Sequence, residues 1–91
     1  MEYRINYTKN FKKDVERCRK RGYNMSRLKT ILDTLIETGT VPPSCRPHKL
    51  SGNHEGEWQC HIAPNWLLIW EQNDTELTLL MLSTGTHSDL F

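Results

Sequence analysis

Residues 40–56, TVPPSCRPHKLSGNHEG, constrain the fold more than any other stretch of the chain. Three prolines and two glycines fall within it, at Pro42, Pro43, Pro47, Gly52 and Gly56, so neither a helix nor a strand can run through it for long. They divide the chain into a half with helical periodicity and a half with strand periodicity. A connection of this length inside a compact domain is uncommon and is often functional. This one also carries Arg46, His48, Lys49 and His54.

Before the loop, Tyr3, Ile5 and Tyr7 alternate within residues 2–7, as one face of a short strand does. From Lys9 to Arg21 the apolar residues Phe11, Val15 and Cys18 recur at helical spacing against a very basic opposite face. Thr8 or Asn10 can cap that helix, and Gly22 suits the left-handed position after its end. A second helix follows, with Asn24 as N-cap, an apolar stripe of Met25, Leu28, Ile31, Leu32, Leu35 and Ile36, and Gly39 as terminator. The two form a hairpin. After the loop come three strand-like runs. Glu57–Ile62 and Trp66–Trp70 are joined by the tight connection Ala63-Pro64-Asn65, and Glu76–Leu82 follows the polar turn Gln72-Asn73-Asp74. Strand parity puts Trp66, Leu68 and Trp70 on one face and Leu67 and Ile69 on the other. Packing against the helices is the expected role of Trp58, Trp66 and Trp70. The order β-α-α-β-β-β predicts an α+β fold, a helical hairpin packed on one face of a small, mostly antiparallel sheet. Residues 1–91 leave no room for a second core, so a single domain is expected. The tail, Thr84 to Phe91, reads as a polar turn ending on two large apolar side chains.

Charge is distributed unevenly. All twelve Lys and Arg lie at or before Lys49, against five carboxylates in the first fifty residues; six carboxylates and no cation follow. A basic face for a polyanion and a solvated helical pair both explain this equally well. The odd number of cysteines, Cys18, Cys45 and Cys60, and the absence of CxxC spacing argue against a disulfide scaffold or zinc ribbon and for reduced, packed thiols. There is no HExxH motif or short histidine pair on a helix, so no metal site and no cofactor are expected. No apolar run is long enough for a membrane span, and MEYRINYTKNF lacks a signal-peptide core, so a cytoplasmic protein with no membrane partner is expected.

Three phrases together resemble the YafQ branch of RelE-like bacterial toxins: His48-Lys49-Leu50-Ser51-Gly52, the run from Cys60 to Trp70 with Pro64-Asn65-Trp66 at its turn, and Thr84-Gly85-Thr86-His87-Ser88-Asp89-Leu90-Phe91. Each is short; three in order at matching separations are specific. The resemblance covers essentially the whole chain and implies a RelE-like fold. It also implies a ribosome-dependent endoribonuclease that enters the decoding site of the 70S ribosome and cuts the mRNA there. A cognate antitoxin is the implied partner, with DNA contacted only through that antitoxin. His48, His61, His87 and Phe91 match family site positions, and Trp66 matches the tryptophan after the hairpin turn. Asn65 stands where the family usually has aspartate, and Ser83 where it usually has arginine. Arg46 and Lys49 are the loop cations available to RNA.

Metal-free RNA cleavage needs a base for the 2′-hydroxyl, an acid for the leaving 5′-oxygen and a stabiliser for phosphorane charge. Histidine suits the first two roles, since both of its protonation states coexist near neutral pH. His87 is the expected acid, and His48 or His61 the expected base. Asn65 does not titrate but can hold a histidine tautomer or a ribose hydroxyl. Ser83 offers a hydrogen bond without charge, and losing one such electrostatic donor costs about 2.7–4 kcal/mol, roughly a hundred- to thousandfold in rate. His54 has no family phrase around it and reads as a loop residue. Two rival readings follow: a catalytically weakened homologue that serves mainly as an antitoxin-binding module, and a sequence-nonspecific RNA binder using only the basic helices.

Overall fold

A computed structural model describes residues 2–91. The elements are β1 Arg4–Tyr7, α1 Lys9–Lys20, α2 Met25–Thr38, β2 His48–Lys49, β3 Glu57–Ala63, β4 Trp66–Asn73, β5 Thr78–Gly85 and α3 His87–Leu90, with single 3-10 turns at Pro43–Cys45 and Gly52–His54. They build a five-stranded sheet in the order β1-β5-β4-β3-β2. Only the β1–β5 pair is parallel; the other three are antiparallel. The α+β arrangement matches the sequence expectation, with additions at β2 and α3.

Thr8 resolves the capping question for α1: its hydroxyl accepts from the Phe11 N–H at 2.9 Å, while Asn10 instead donates to the Leu82 carbonyl at 3.1 Å. Asn24 caps α2 by accepting from the Ser26 N–H at 3.2 Å. Gly39 closes α2 at φ 73°, where a Cβ would run into the Tyr3 ring. One core gathers Phe11 and Cys18 of α1, Leu28, Ile31 and Leu35 of α2, and Cys60, Ile62, Trp66, Leu68, Trp70, Leu79 and Met81 of the sheet. Each fully covered aliphatic side chain among these contributes roughly 1.5–3 kcal/mol. The expected parity of Trp66, Leu68 and Trp70 holds, for all three face the helices.

Several boundaries depart from expectation, among them the far end of β5, which runs on to Gly85 instead of stopping at Leu82. The third strand-like run begins at Thr78, not Glu76, because Asn73 Oδ1 accepts from the Thr75 and Glu76 N–H groups and Leu77 turns at φ 56°. β4 accordingly extends to Asn73, which pairs with Thr78. The tail is not a polar turn but the helix α3: Thr86 Oγ1 accepts from the Asp89 N–H at 3.1 Å, and Asp89 accepts from the Thr86 N–H at 2.8 Å. No helix among the described residues is long and apolar enough to cross a membrane.

Asp14 is a polar residue inside this apolar arrangement, 5% exposed. Its carboxylate meets Arg17 Nη1 at 3.0 Å and accepts the Thr84 N–H at 3.1 Å, so the buried charge is paired. Arg17 Nη2 also donates to the Thr84 carbonyl at 3.1 Å. α1 thereby grips the end of β5 immediately before α3.

Candidate active site

The sheet face away from the helices carries the histidines. Register places His48 beside Gln59, Gln59 beside Ile69, and Ile69 beside Ser83, a row crossing four strands. The neighbouring row runs His61, Leu67, Gly85. Leu67 and Ile69 are each 2% exposed although they face away from the core helices. Above this face, the loop before β3 and the C-terminal end meet through His54 and Phe91, whose ring centroids lie 5.3 Å apart edge-to-face. The His87 ring, four residues earlier in the chain, lies 5.0 Å from the same Phe91 ring. Phe91 itself is 52% exposed, so its ring is available to a ligand.

The site residues expected from sequence therefore separate into groups. His87 and Phe91 are in contact, and His61, Ser83 and His48 share the open face beside them. His48 is exposed, with Nδ1 3.4 Å from the Arg46 carbonyl, a long contact. Arg46 is exposed and sits at φ 50° just before Pro47, a conformation few non-glycine residues adopt. Lys49 pairs with Trp58 and so points to the helix side, its Nζ 5.5 Å from the Trp58 ring centroid. Asn65 and Trp66 lie at the β3–β4 tip, lining a recess of about 270 Å³ with Tyr23, Asn24, Arg27 and Ala63. Trp66 is 4% exposed and its indole N–H donates to Thr84 Oγ1 at 2.9 Å, so only the ring edge reaches that recess.

His54 has no family phrase around it and nevertheless acquires a partner in the fold. Its Nδ1 lies 3.1 Å from Glu57 Oε1, and among the described residues it is the only histidine paired with a carboxylate. The signal was present in the spacing His54-Glu55-Gly56-Glu57, but the glycine-rich context gave no periodicity to reveal it.

Ser83 itself brings no charge to the open face. The helices do bring two cations toward α3, where Arg21 Nη1 and Nη2 grip Asp89 at 2.6 and 3.0 Å and Arg17 Nε lies 3.9 Å from it. The Arg21 hydrogen bonds, then the Thr86 N–H, hold the Asp89 carboxyl well below the usual carboxylate range. A Cβ on Gly85 would press on the Asp89 and Arg17 side chains and shift them from these positions. α3, and with it His87, is thus fastened to α1. Two of the cysteines are sequestered: Cys60 is buried and its thiol is pushed up to about 12 by burial, and Cys18 is raised for the same reason. No group of three or more metal-ligating side chains comes together among the described residues.

The family model for the bacterial toxin of type II toxin–antitoxin systems, YafQ, matches residues 3–91. The mRNA interferase toxin YafQ of Escherichia coli strain K12 is 35% identical over 88 residues, covering 96% of this chain and 94% of that protein. The crystal structure of YafQ from E. coli BL21(DE3) superimposes with a TM-score of 0.90 at 33% identity, covering 99% of each chain. YafQ in the E. coli DinJ–YafQ toxin–antitoxin complex also gives 0.90 at 33%, covering 100% of this chain and 99% of that one. With fold, length and sequence in agreement along nearly its whole extent, the chain belongs to the YafQ family of bacterial type II toxin–antitoxin toxins.

Proposed function

We propose that this chain is an mRNA interferase, a ribosome-dependent endoribonuclease that cleaves by metal-independent acid–base chemistry and is restrained by a cognate antitoxin. The observation that carries the reading is the contact of His87 with the exposed Phe91 ring at the edge of a face that also bears His61 and His48. The aromatic ring offers a stacking surface for an unpaired base, which orients the backbone beside it. His87, protonated, gives its proton to the 5′-oxygen as the P–O bond breaks. A second imidazole takes the proton of the attacking 2′-hydroxyl, a role for which the family resemblance offers His48 and His61. The activity named for the E. coli relative and the antitoxin complex of E. coli YafQ both support this assignment. Ribosomes as the site of action imply a cytoplasmic protein.

One observation favours a second reading. Ser83 is uncharged and Lys49 is turned to the helix side, so phosphorane charge on the open face meets no free cation from these positions. An antitoxin-binding homologue with little turnover would need none. Induction in bacterial cells separates the two. Growth arrest that disappears in His87→Ala is expected of the nuclease; normal growth with soluble parent protein present would overturn the proposal and favour the binding module.

A further inference from the structure

We propose that His54, oriented by Glu57, is the general base of the site, working with His87 beside the Phe91 ring. The inference deepens the nuclease reading above and rests on it. Both imidazoles contact the same exposed aromatic ring, His54 at 5.3 Å and His87 at 5.0 Å between centroids. They approach it from different elements, the 3-10 turn Gly52–His54 and α3, so a nucleotide stacked at Phe91 meets two imidazoles held independently of each other. His54 keeps 42% of its side chain exposed while Glu57 keeps 20%, so the carboxylate is the inner, anchored partner and the imidazole the outer one.

The pairing decides which nitrogen works. The Glu57 carboxylate can only accept, so Nδ1 carries the hydrogen and Nε2 is the free basic nitrogen of the neutral ring. Nε2 takes the proton from the 2′-hydroxyl, O2′ forms its bond to phosphorus, the P–O5′ bond breaks, and the leaving O5′ takes the proton of His87. The products are a 2′,3′-cyclic phosphate and a 5′-hydroxyl, and the charge formed on His54 is balanced by Glu57. This is the division of labour in which a carboxylate holds a histidine's tautomer and stabilises its charged form. The charged groups around the pair are Glu57 itself, Glu71 directly across from it on β4, and His87, which contacts the same Phe91 ring. His48 and His61 have no carboxylate partner among the described residues, and His48 has only the long contact to the Arg46 carbonyl.

The test is single-turnover cleavage of mRNA on 70S ribosomes across pH 5–9 with the parent chain, His54→Ala and Glu57→Gln. His54→Ala is expected to lose roughly a hundredfold or more in rate, the usual range for one proton-transfer group, and to lose the acid limb of the profile. Added imidazole should restore part of that rate, which a merely structural histidine would not allow. Glu57→Gln keeps an acceptor for Nδ1 but removes the counter-charge, so kcat falls with KM unchanged. A His54→Ala protein that cuts within threefold of the parent, with both limbs intact, overturns the assignment and leaves the nuclease reading standing. So does a Glu57→Gln protein indistinguishable from the parent. A parent chain that does not cut overturns both.

Discussion

Replacing Asp14 with alanine tests the way α1 holds the site end of the sheet. Asp14 accepts the Thr84 N–H at 3.1 Å and faces Arg17 Nη1 at 3.0 Å from a position 5% exposed. Alanine orphans the Thr84 N–H, which at a buried site costs about 1–3 kcal/mol. Arg17 also loses a partner; its side chain is 36% exposed, so solvent screens it and the added penalty is about 1 kcal/mol or less. The expected loss is about 2–4 kcal/mol, or roughly 10–25 °C in Tm for a domain of this size. Asp14→Asn keeps one acceptor oxygen for Thr84 and should lose about half as much. Urea and thermal unfolding followed by circular dichroism measure both. An alanine variant within about 1 kcal/mol of the parent would refute the claim that this carboxylate fastens β5, and through it α3, to the helices.

Ser83→Arg, restoring a cation on the open face in the row with Ile69, should raise single-turnover cleavage at least about tenfold, given the usual weight of one such donor; an unchanged rate would show that phosphorane charge is handled elsewhere. Acid should loosen α3. The Asp89 carboxyl is depressed by Arg21 and the Thr86 N–H, so its stabilising contribution is full above its unfolded pKa near ~3.9 and is lost as pH falls through the lower folded value. The backbone amide resonance of Thr86, which donates to the Asp89 carboxylate, should hold down to about pH 4 and move below it, and in Arg21→Ala the movement should begin at higher pH; an unchanged profile in that variant would show that the clamp is not the cause. Alkylation at pH 8 should modify the half-buried Cys45 first and leave Cys60, buried and with its thiol pushed up to about 12, until the chain unfolds; early reaction of Cys60 would contradict its burial.

Much of the fold was legible because apolar spacing reports directly on burial. The stripe from Met25 to Ile36 and the alternation from Trp66 to Trp70 each named the face that turned out to meet the core. What was not legible depends on short-range polar geometry. The Asx turn at Asn73 shifted β5 by two residues, and the Thr86–Asp89 box converted a polar tail into a helix. The second of these could have been read from the Thr-x-x-Asp spacing; a four-residue helix has no apolar periodicity to confirm it.

The candidate site was legible only in part, for a related reason. His87 and Phe91 stand four apart and meet on one helical turn, so their contact follows once α3 is known. The row His48, Gln59, Ile69, Ser83 depends on β2, a two-residue strand inside a stretch dominated by proline and glycine. Lys49 shows how sensitive such a site is to parity: one residue from His48, it lies on the opposite side of the sheet over Trp58. His54 reaches Phe91 through a loop closure that no local pattern announces.

The most direct measurement is the chemistry of the cut ends. Purified chain incubated with mRNA-programmed 70S ribosomes should release fragments ending in 2′,3′-cyclic phosphate and beginning with 5′-hydroxyl, with a yield abolished by His87→Ala. Fragments beginning with 5′-phosphate, or cutting that persists undiminished in His87→Ala, would contradict an acid–base site built around His87 and Phe91.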